Sequence, residues 1–308
     1  MFGKMMALLL LAASGWLSST VIYQRQNQKA DGILGRWDLT VQSANATYPS
    51  WLEVTQEQGK LTGRSVGRTG SSHPVESIGF ADGQLTFTSW EKQVFKGRLV
   101  GNRLEGTVEM TSGRQNTWTG VRAPEIKTPT KPQWGQPIQL FNGRDLQGWK
   151  QRDGKSGCWG VTDGAMSNTP PCVDIITEQK FKDFKLHLEF NIVEKSNSGV
   201  YLRGRHEVQI QDDFGKPTDN RSMGGLYGFI TPTVNAAKKA DEWQTYDITL
   251  LGRQVTIVLN GQTIIDKQEI PGITGGALDS DEAAPGPLML QGDHGKVSFR
   301  NIVLTPVK

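Results

Sequence analysis

The stretch Asn197-Ser-Gly-Val-Tyr-Leu-Arg-Gly-Arg-His-Glu-Val-Gln-Ile-Gln-Asp212 carries more polar chemistry than a structural strand needs. Val200, Tyr201, Leu202, Val208 and Ile210 favour strands. Gly204-Arg205 fits a two-residue hairpin turn with glycine in its first central position. That turn sets Arg203 opposite His206 and Leu202 opposite Glu207. Strand side chains alternate and cross-strand partners share a face. Tyr201, Val208 and Ile210 then fall together toward a core. Glu207, Gln209 and Gln211 fall on the other face, beside Val200 and Leu202. A carboxylate among amides can exchange protons and bind hydroxyls, so this face suits the floor of a groove for a polar ligand. It equally suits the solvent side of a half-buried sheet.

The rest of the chain must supply the frame. With 308 residues, two domains are a fair expectation. The 36 glycines and short apolar runs cut by Asn-Gly and Asp-Gly turns predict many short strands. A net charge of +3, with Lys and Arg dispersed, argues against nucleic acid as a partner. Lys4 followed by the apolar run Met5 to Trp16 reads as a signal peptide or N-terminal anchor over residues 1–19. The run is shorter than the roughly 20 residues a membrane span takes, and nothing later is long enough. Export to a periplasmic or secreted location follows, with no other membrane segment. Cys158 and Cys172 are the only cysteines. In an exported chain they are expected to pair, closing a loop of about 15 residues and contributing roughly 3 kcal/mol.

Pro124, Pro129, Pro132 and Pro137 mark a stiff linker over residues 123–136. Before it, residues 31–122 read as about eight strands joined in order, suiting a small antiparallel barrel or sandwich. Gly35-Arg-Trp-Asp-Leu39, Gly59-Lys-Leu-Thr-Gly63 and Leu104-Glu-Gly-Thr-Val108 weakly resemble calycin-like barrel modules. No catalytic cluster is evident there, and His73 reads as a loop residue. After the linker, Phe184–Ile192 alternates cleanly, and Asn260-Gly261 marks a hairpin turn. Residues 137–308 thus predict an antiparallel two-sheet sandwich of the jelly-roll type. The whole is all-β, and a fragment starting near Gln136 is expected to fold alone.

Several ordered motifs in that second region carry a closer resemblance. They are Phe141-Asn-Gly-Arg-Asp-Leu-Gln-Gly-Trp149, the hairpin strands, Gly225-Leu-Tyr-Gly228, Glu242-Trp-Gln-Thr-Tyr246, Gly286-Pro-Leu-Met-Leu-Gln-Gly-Asp-His-Gly295 and Phe299-Arg-Asn-Ile302. Together they resemble the bacterial 3-keto-disaccharide hydrolase family, which has a concanavalin-like jelly roll. The resemblance implies cleavage of glycosides oxidised to a ketone at sugar C3. The ketone acidifies the C2 proton, a base removes it, and the C1 substituent leaves by elimination. Water adding back makes the net outcome hydrolysis.

Such a site needs a base, an oxyanion stabiliser and a proton for the leaving oxygen. Glu207, an acid on the groove face, is the first candidate base. His294, held between Gly292 and Gly295, is the second acid–base candidate. Arg203 is a candidate for the enolate, with an internal ion pair as its alternative. Asn197 and Gln209 are candidates for sugar hydroxyls, Tyr227 and Trp243 for ring stacking, and Asp212 for orienting His206 or a cation. A divalent metal, with Glu207 and His294 as candidate ligands, is compatible with enolate chemistry. No compact ligand motif requires it, so the cofactor stays open. Asp279, Asp281 and Glu282 read as a solvated acidic turn. The partner expected is a carbohydrate, the 3-keto-glycoside. The competing class is a non-catalytic, lectin-like envelope protein, since a sandwich fold alone does not prove catalysis.

Overall fold

The computed structural model describes residues 32–152, 154 and 157–308. The proposed signal segment lies outside them. Among the described residues there are twenty-two strands and no helix. The first nine are β1 (Gly35–Gln42), β2 (Thr47–Glu57), β3 (Lys60–Val66), β4 (His73–Pro74), β5 (Ser77–Ala81), β6 (Gln84–Thr88), β7 (Val94–Val100), β8 (Arg103–Glu109) and β9 (Gln115–Arg122). They form one antiparallel sheet in the order β4-β3-β2-β1-β9-β8-β7-β6-β5. The sheet curls until β5 lies against β3. Alternation places Trp37, Leu39, Leu52, Val54, Phe87, Phe95 and Trp118 inside the curl. That interior is filled with side chains.

β2 departs from simple alternation, because Pro49 to Leu52 are all buried. Leu52 faces the curl, while Trp51 packs outward with Val66 on Ile273 and Ala277. Trp51 also meets Phe229 edge to face at 5.3 Å between ring centroids. β2 therefore joins two bodies, and it buries both faces for that reason.

The remaining strands are β10 (Ile138–Gln139), β11 (Trp149–Gln151), β12 (Trp159–Thr162), β13 (Ala165–Asn168), β14 (Ile175–Phe181), β15 (Phe184–Ile192), β16 (Asn197–Leu202), β17 (His206–Gln211), β18 (Gln244–Leu251), β19 (Gln254–Leu259), β20 (Gln262–Glu269), β21 (Gly286–Leu290) and β22 (Val297–Pro306). One sheet runs β12-β13-β22-β15-β18-β19-β20, with β10 also on β22. The other runs β11-β14-β21-β16-β17. All pairings are antiparallel, and one core holds Phe184, Leu186, Leu188 and Phe190 against Val200, Leu202, Val208 and Ile210. This is the jelly-roll sandwich. The Cys158 and Cys172 sulfurs are bonded, with Cα atoms 5.3 Å apart.

The central hairpin differs from its expected register by one residue. Leu202 pairs with His206 and Tyr201 with Glu207. Arg203 and Gly204 take the left-handed conformation, at φ 55° and 67°, and Arg205 is the extra residue of the turn. Val200 and Leu202 therefore face the core, whereas Tyr201 joins Glu207 and Gln209 on the opposite face.

Candidate active site

A cavity of 370 Å³ opens over that face. Glu207, Gln209, Asn197 and Tyr201 come from the hairpin, Asp293 and His294 from the β21–β22 loop, and Asp174 and Arg152 from the flanks of β14 and β11. Tyr227 lines it from the segment after β17. Tyr48, Arg68, Thr69 and Gly70 line it from the first sheet. The cavity is thus walled by both halves of the chain.

Glu207 lies on the floor and is almost wholly buried. Gly199, directly across the ladder from Gln209, makes room for it. A Cβ there would lie 2.4 Å from Glu207 Oε1. Tyr201 Oη donates to Glu207 Oε2 at 2.8 Å. The Gln209 amide satisfies its surroundings when its nitrogen donates to Ser198 O at 3.0 Å and Glu207 Oε1 at 3.3 Å. In that orientation, assigned from the bonding network, its oxygen accepts from Asn197 Nδ2 at 3.2 Å. Burial pushes the Glu207 carboxyl up to about 8, and the negative charges of Asp174 and Asp293 add to the rise. The Tyr201 bond and the charge of His294 oppose it. A carboxyl poised near neutrality suits proton transfer in either direction.

His294 Nδ1 meets Asp293 Oδ1 at 2.5 Å. That bond raises the imidazole's proton affinity and lowers that of Asp293. The loop is held by Asn168, a fully buried amide whose Nδ2 donates to Gly292 O at 2.8 Å and Gly295 O at 2.7 Å. Asp174 Oδ1 accepts from Gly292 N at 3.2 Å, and its Oδ2 from Arg152 Nη1 at 3.0 Å. Gln291 also lines the cavity, and its Oε1 is buried without a protein partner, an acceptor suited to a ligand hydroxyl.

Of the expected site residues, Glu207, His294, Asn197, Gln209 and Tyr227 meet in this cavity, and three others lie elsewhere. Arg203 is buried at the hairpin tip, where its Nε donates to Lys182 O and its Nη2 to Gly252 O, both at 2.6 Å. Its ion pair with Asp183, at 3.1 Å, is the internal alternative. Trp243 sits under Arg300, with the guanidinium 3.9 Å from the ring centroid. Asp212 accepts from Lys195 N at 2.9 Å and does not touch His206, which turns to Gly272 O. The acidic turn is not solvated throughout: Glu282 is fully buried against Arg253, and Asp279 pairs with Arg205 at 2.6 Å. Among the described residues, no three His, Cys, Asp or Glu side chains are grouped to hold a metal ion. Glu207 and His294 alone fall short of the three protein donors of a catalytic zinc site.

Sequence reasoning missed Tyr201, Asn168, Asp174 and Arg152 as site residues. A correct hairpin register would have revealed Tyr201. The other three are joined to the site only by tertiary contacts.

Residues 136–305 match a family profile described as a 3-keto-α-glucoside-1,2-lyase-like domain. A 3-keto-disaccharide hydrolase of Bacteroides thetaiotaomicron is 22% identical over 166 residues, covering 42% of this chain and 57% of that protein. The chain thus spans little more than half the length of that relative. Among solved structures, a Parabacteroides distasonis protein provisionally described as a glycosyl hydrolase is 31% identical. The match covers 58% of this chain and 92% of that one, with a TM-score of 0.49. A Bacillus licheniformis β-glucanase is 15% identical, covering 57% of this chain and 100% of that one, with a TM-score of 0.40.

Proposed function

The chain belongs to the 3-keto-α-glucoside-1,2-lyase-like family, and from that premise we propose that its cavity cleaves glycosides oxidised to a ketone at sugar C3. The family is carbohydrate-active and glycosyl hydrolase-like. The observation that carries the narrower reading is Glu207: a buried carboxyl with near-neutral proton affinity on a cavity floor, bonded to a phenol and facing a histidine. A binding module needs amides and aromatics but no such group.

In this reading the Glu207 carboxylate takes the C2 proton, and the bonding pair forms an enolate on the C3 oxygen. Asn197 and Tyr227, which line the cavity, would donate to that oxygen or to ring hydroxyls. The enolate collapses, restoring the ketone and making a C1–C2 double bond. The C1–O bond breaks, and protonated His294 gives its proton to the leaving oxygen. Water adding across the new double bond completes net hydrolysis.

Glu207→Gln keeps shape but cannot take the proton, so turnover of a 3-keto-glucoside should fall about 10²–10⁴-fold. His187→Ala, partly exposed on the other sheet of the sandwich and outside the cavity, serves as a near-neutral control. Aglycone release and C2 exchange in deuterated water are the readouts. Wild-type protein that binds the keto-sugar but gives neither result belongs to the lectin reading.

Export is part of the same proposal, supported by the composition of residues 1–19 and the paired cysteines. Cell fractionation tests it: protein found in the cytosol with both thiols free would overturn it.

A further inference from the structure

The peptide group joining Gly275 to Gly276 is bonded at its two ends to different halves of the molecule. Its N–H, on Gly276, donates to the carbonyl of Arg68 at 3.0 Å. Its carbonyl, on Gly275, accepts from Tyr201 Oη at 2.9 Å. Arg68 belongs to the β3–β4 connection of the first sheet, and Tyr201 stands beside Glu207 in the sandwich. Only glycine permits this approach. A Cβ on Gly275 would lie 2.2 Å from Gly70 O, and one on Gly276 would lie 2.6 Å from Tyr201 Oη. Ser72 of the same connection bonds through Oγ to Gly228 O.

Tyr201 has one hydroxyl proton and faces two acceptors, Glu207 Oε2 and Gly275 O. It satisfies both contacts only when Glu207 is protonated. The carboxyl then donates to Oη, and Oη donates to Gly275 O. When Glu207 ionises, the hydroxyl must turn to the carboxylate, and Gly275 O loses its donor. The Gly275 carbonyl therefore competes with the carboxylate for one proton. Donation of the peptide N–H to Arg68 polarises the same group and strengthens its carbonyl as an acceptor.

We propose that the first sheet is a positioning element for Glu207: its β3–β4 connection aims the Gly275 carbonyl at Tyr201 and thereby sets the pH at which Glu207 ionises. Other groups face this carboxyl as well. His294 and Asp293 come from the β21–β22 loop, Asp174 from before β14, and Tyr227 from after β17. Arg68 and Arg152 line the same cavity. Arg152 Nη1 bonds to the following carbonyl, Gly276 O, at 3.0 Å. None of these replaces the Gly275 carbonyl as the rival acceptor for the Tyr201 proton.

The catalytic significance rests on the reading of Glu207 as the acid–base group, whereas the bonding does not. The test follows the ¹³C signal of the Glu207 carboxyl against pH in the full chain. Gly275→Ala pushes the Gly70 backbone away, frees Tyr201 for the carboxylate, and should lower the midpoint by about one pH unit, a tenfold change in ionisation ratio. Ser72→Ala should lower it less. Tyr201→Phe removes a donor from the carboxylate and should raise it. Opposite shifts are not what general loosening produces. The proposal is overturned if folded Gly275→Ala leaves the midpoint in place or moves it with Tyr201→Phe. If that variant does not fold, an unmoved midpoint in Ser72→Ala overturns it. The signal needs no turnover. Shifts without keto-glycoside cleavage would sink the proposed reaction alone, and cleavage without shifts would sink the positioning role alone.

Discussion

Asp38 in the first sheet and Glu207 in the sandwich are both buried carboxyls pushed up to about 8. Burial is the first cause for each. At Asp38 the charge of Glu282 adds to it, and Arg253 opposes it. Asp38 Oδ1, Glu282 Oε1 and Arg253 Nη1 are all buried without a hydrogen-bond partner. Asp38 does not line the cavity, and it stands among charges at the junction of the two halves. Glu207 instead meets a rotatable hydroxyl, an amide and open space. A shifted proton affinity marks both groups, so it does not by itself identify a reactive one. Access and a partner able to change its bonding separate them.

That contrast can be broken most sharply at Gly199. Gly199→Ala would drive Glu207 off Tyr201, because the new Cβ meets the carboxyl oxygen. Misplacing a reacting group by about 1 Å costs roughly 100-fold, so aglycone release should fall by that order. A thermal melt should show the sandwich still folded. Equal activity would mean the carboxyl's placement is unimportant.

Asp38→Asn should act on stability and leave turnover within about twofold. The folded-state value of Asp38 lies above its unfolded value, so the folded chain holds more protons between about pH 4 and pH 8. Stability therefore falls as pH rises through that window. Removing the charge should flatten this dependence. It should raise stability at pH 8, with little change at pH 4. Denaturant melts at the two pH values check it. A large loss of turnover would instead join Asp38 to the active centre.

Much of the frame was legible. In the first half, alternation and glycine turns give about eight strands joined in order, and nine form one antiparallel sheet. Its neighbours in sequence are mostly neighbours in the sheet. In the second half, Phe184–Ile192 and the hairpin turn at Asn260-Gly261 are equally clear. The short strands Trp149–Gln151, Trp159–Thr162 and Ala165–Asn168 are not. Three or four residues are too few for alternation to rise above chance, and their partners are distant in sequence.

The candidate site divides along the same line. Local alternation determined that Glu207 and Gln209 share a face, because the period of a strand is two. It could not determine which residue lies opposite Glu207, since one extra turn residue reverses that answer. Arg203 is clamped by Lys182, Asp183 and Gly252, and the turn it anchors sets Tyr201, rather than Leu202, beside the carboxyl. Only the tertiary structure brought Arg68 and Gly70 across the proline-rich linker to wall the same cavity. Those contacts are between backbones of glycine-rich loops, and backbone contacts leave no pattern in side-chain chemistry for a sequence to display.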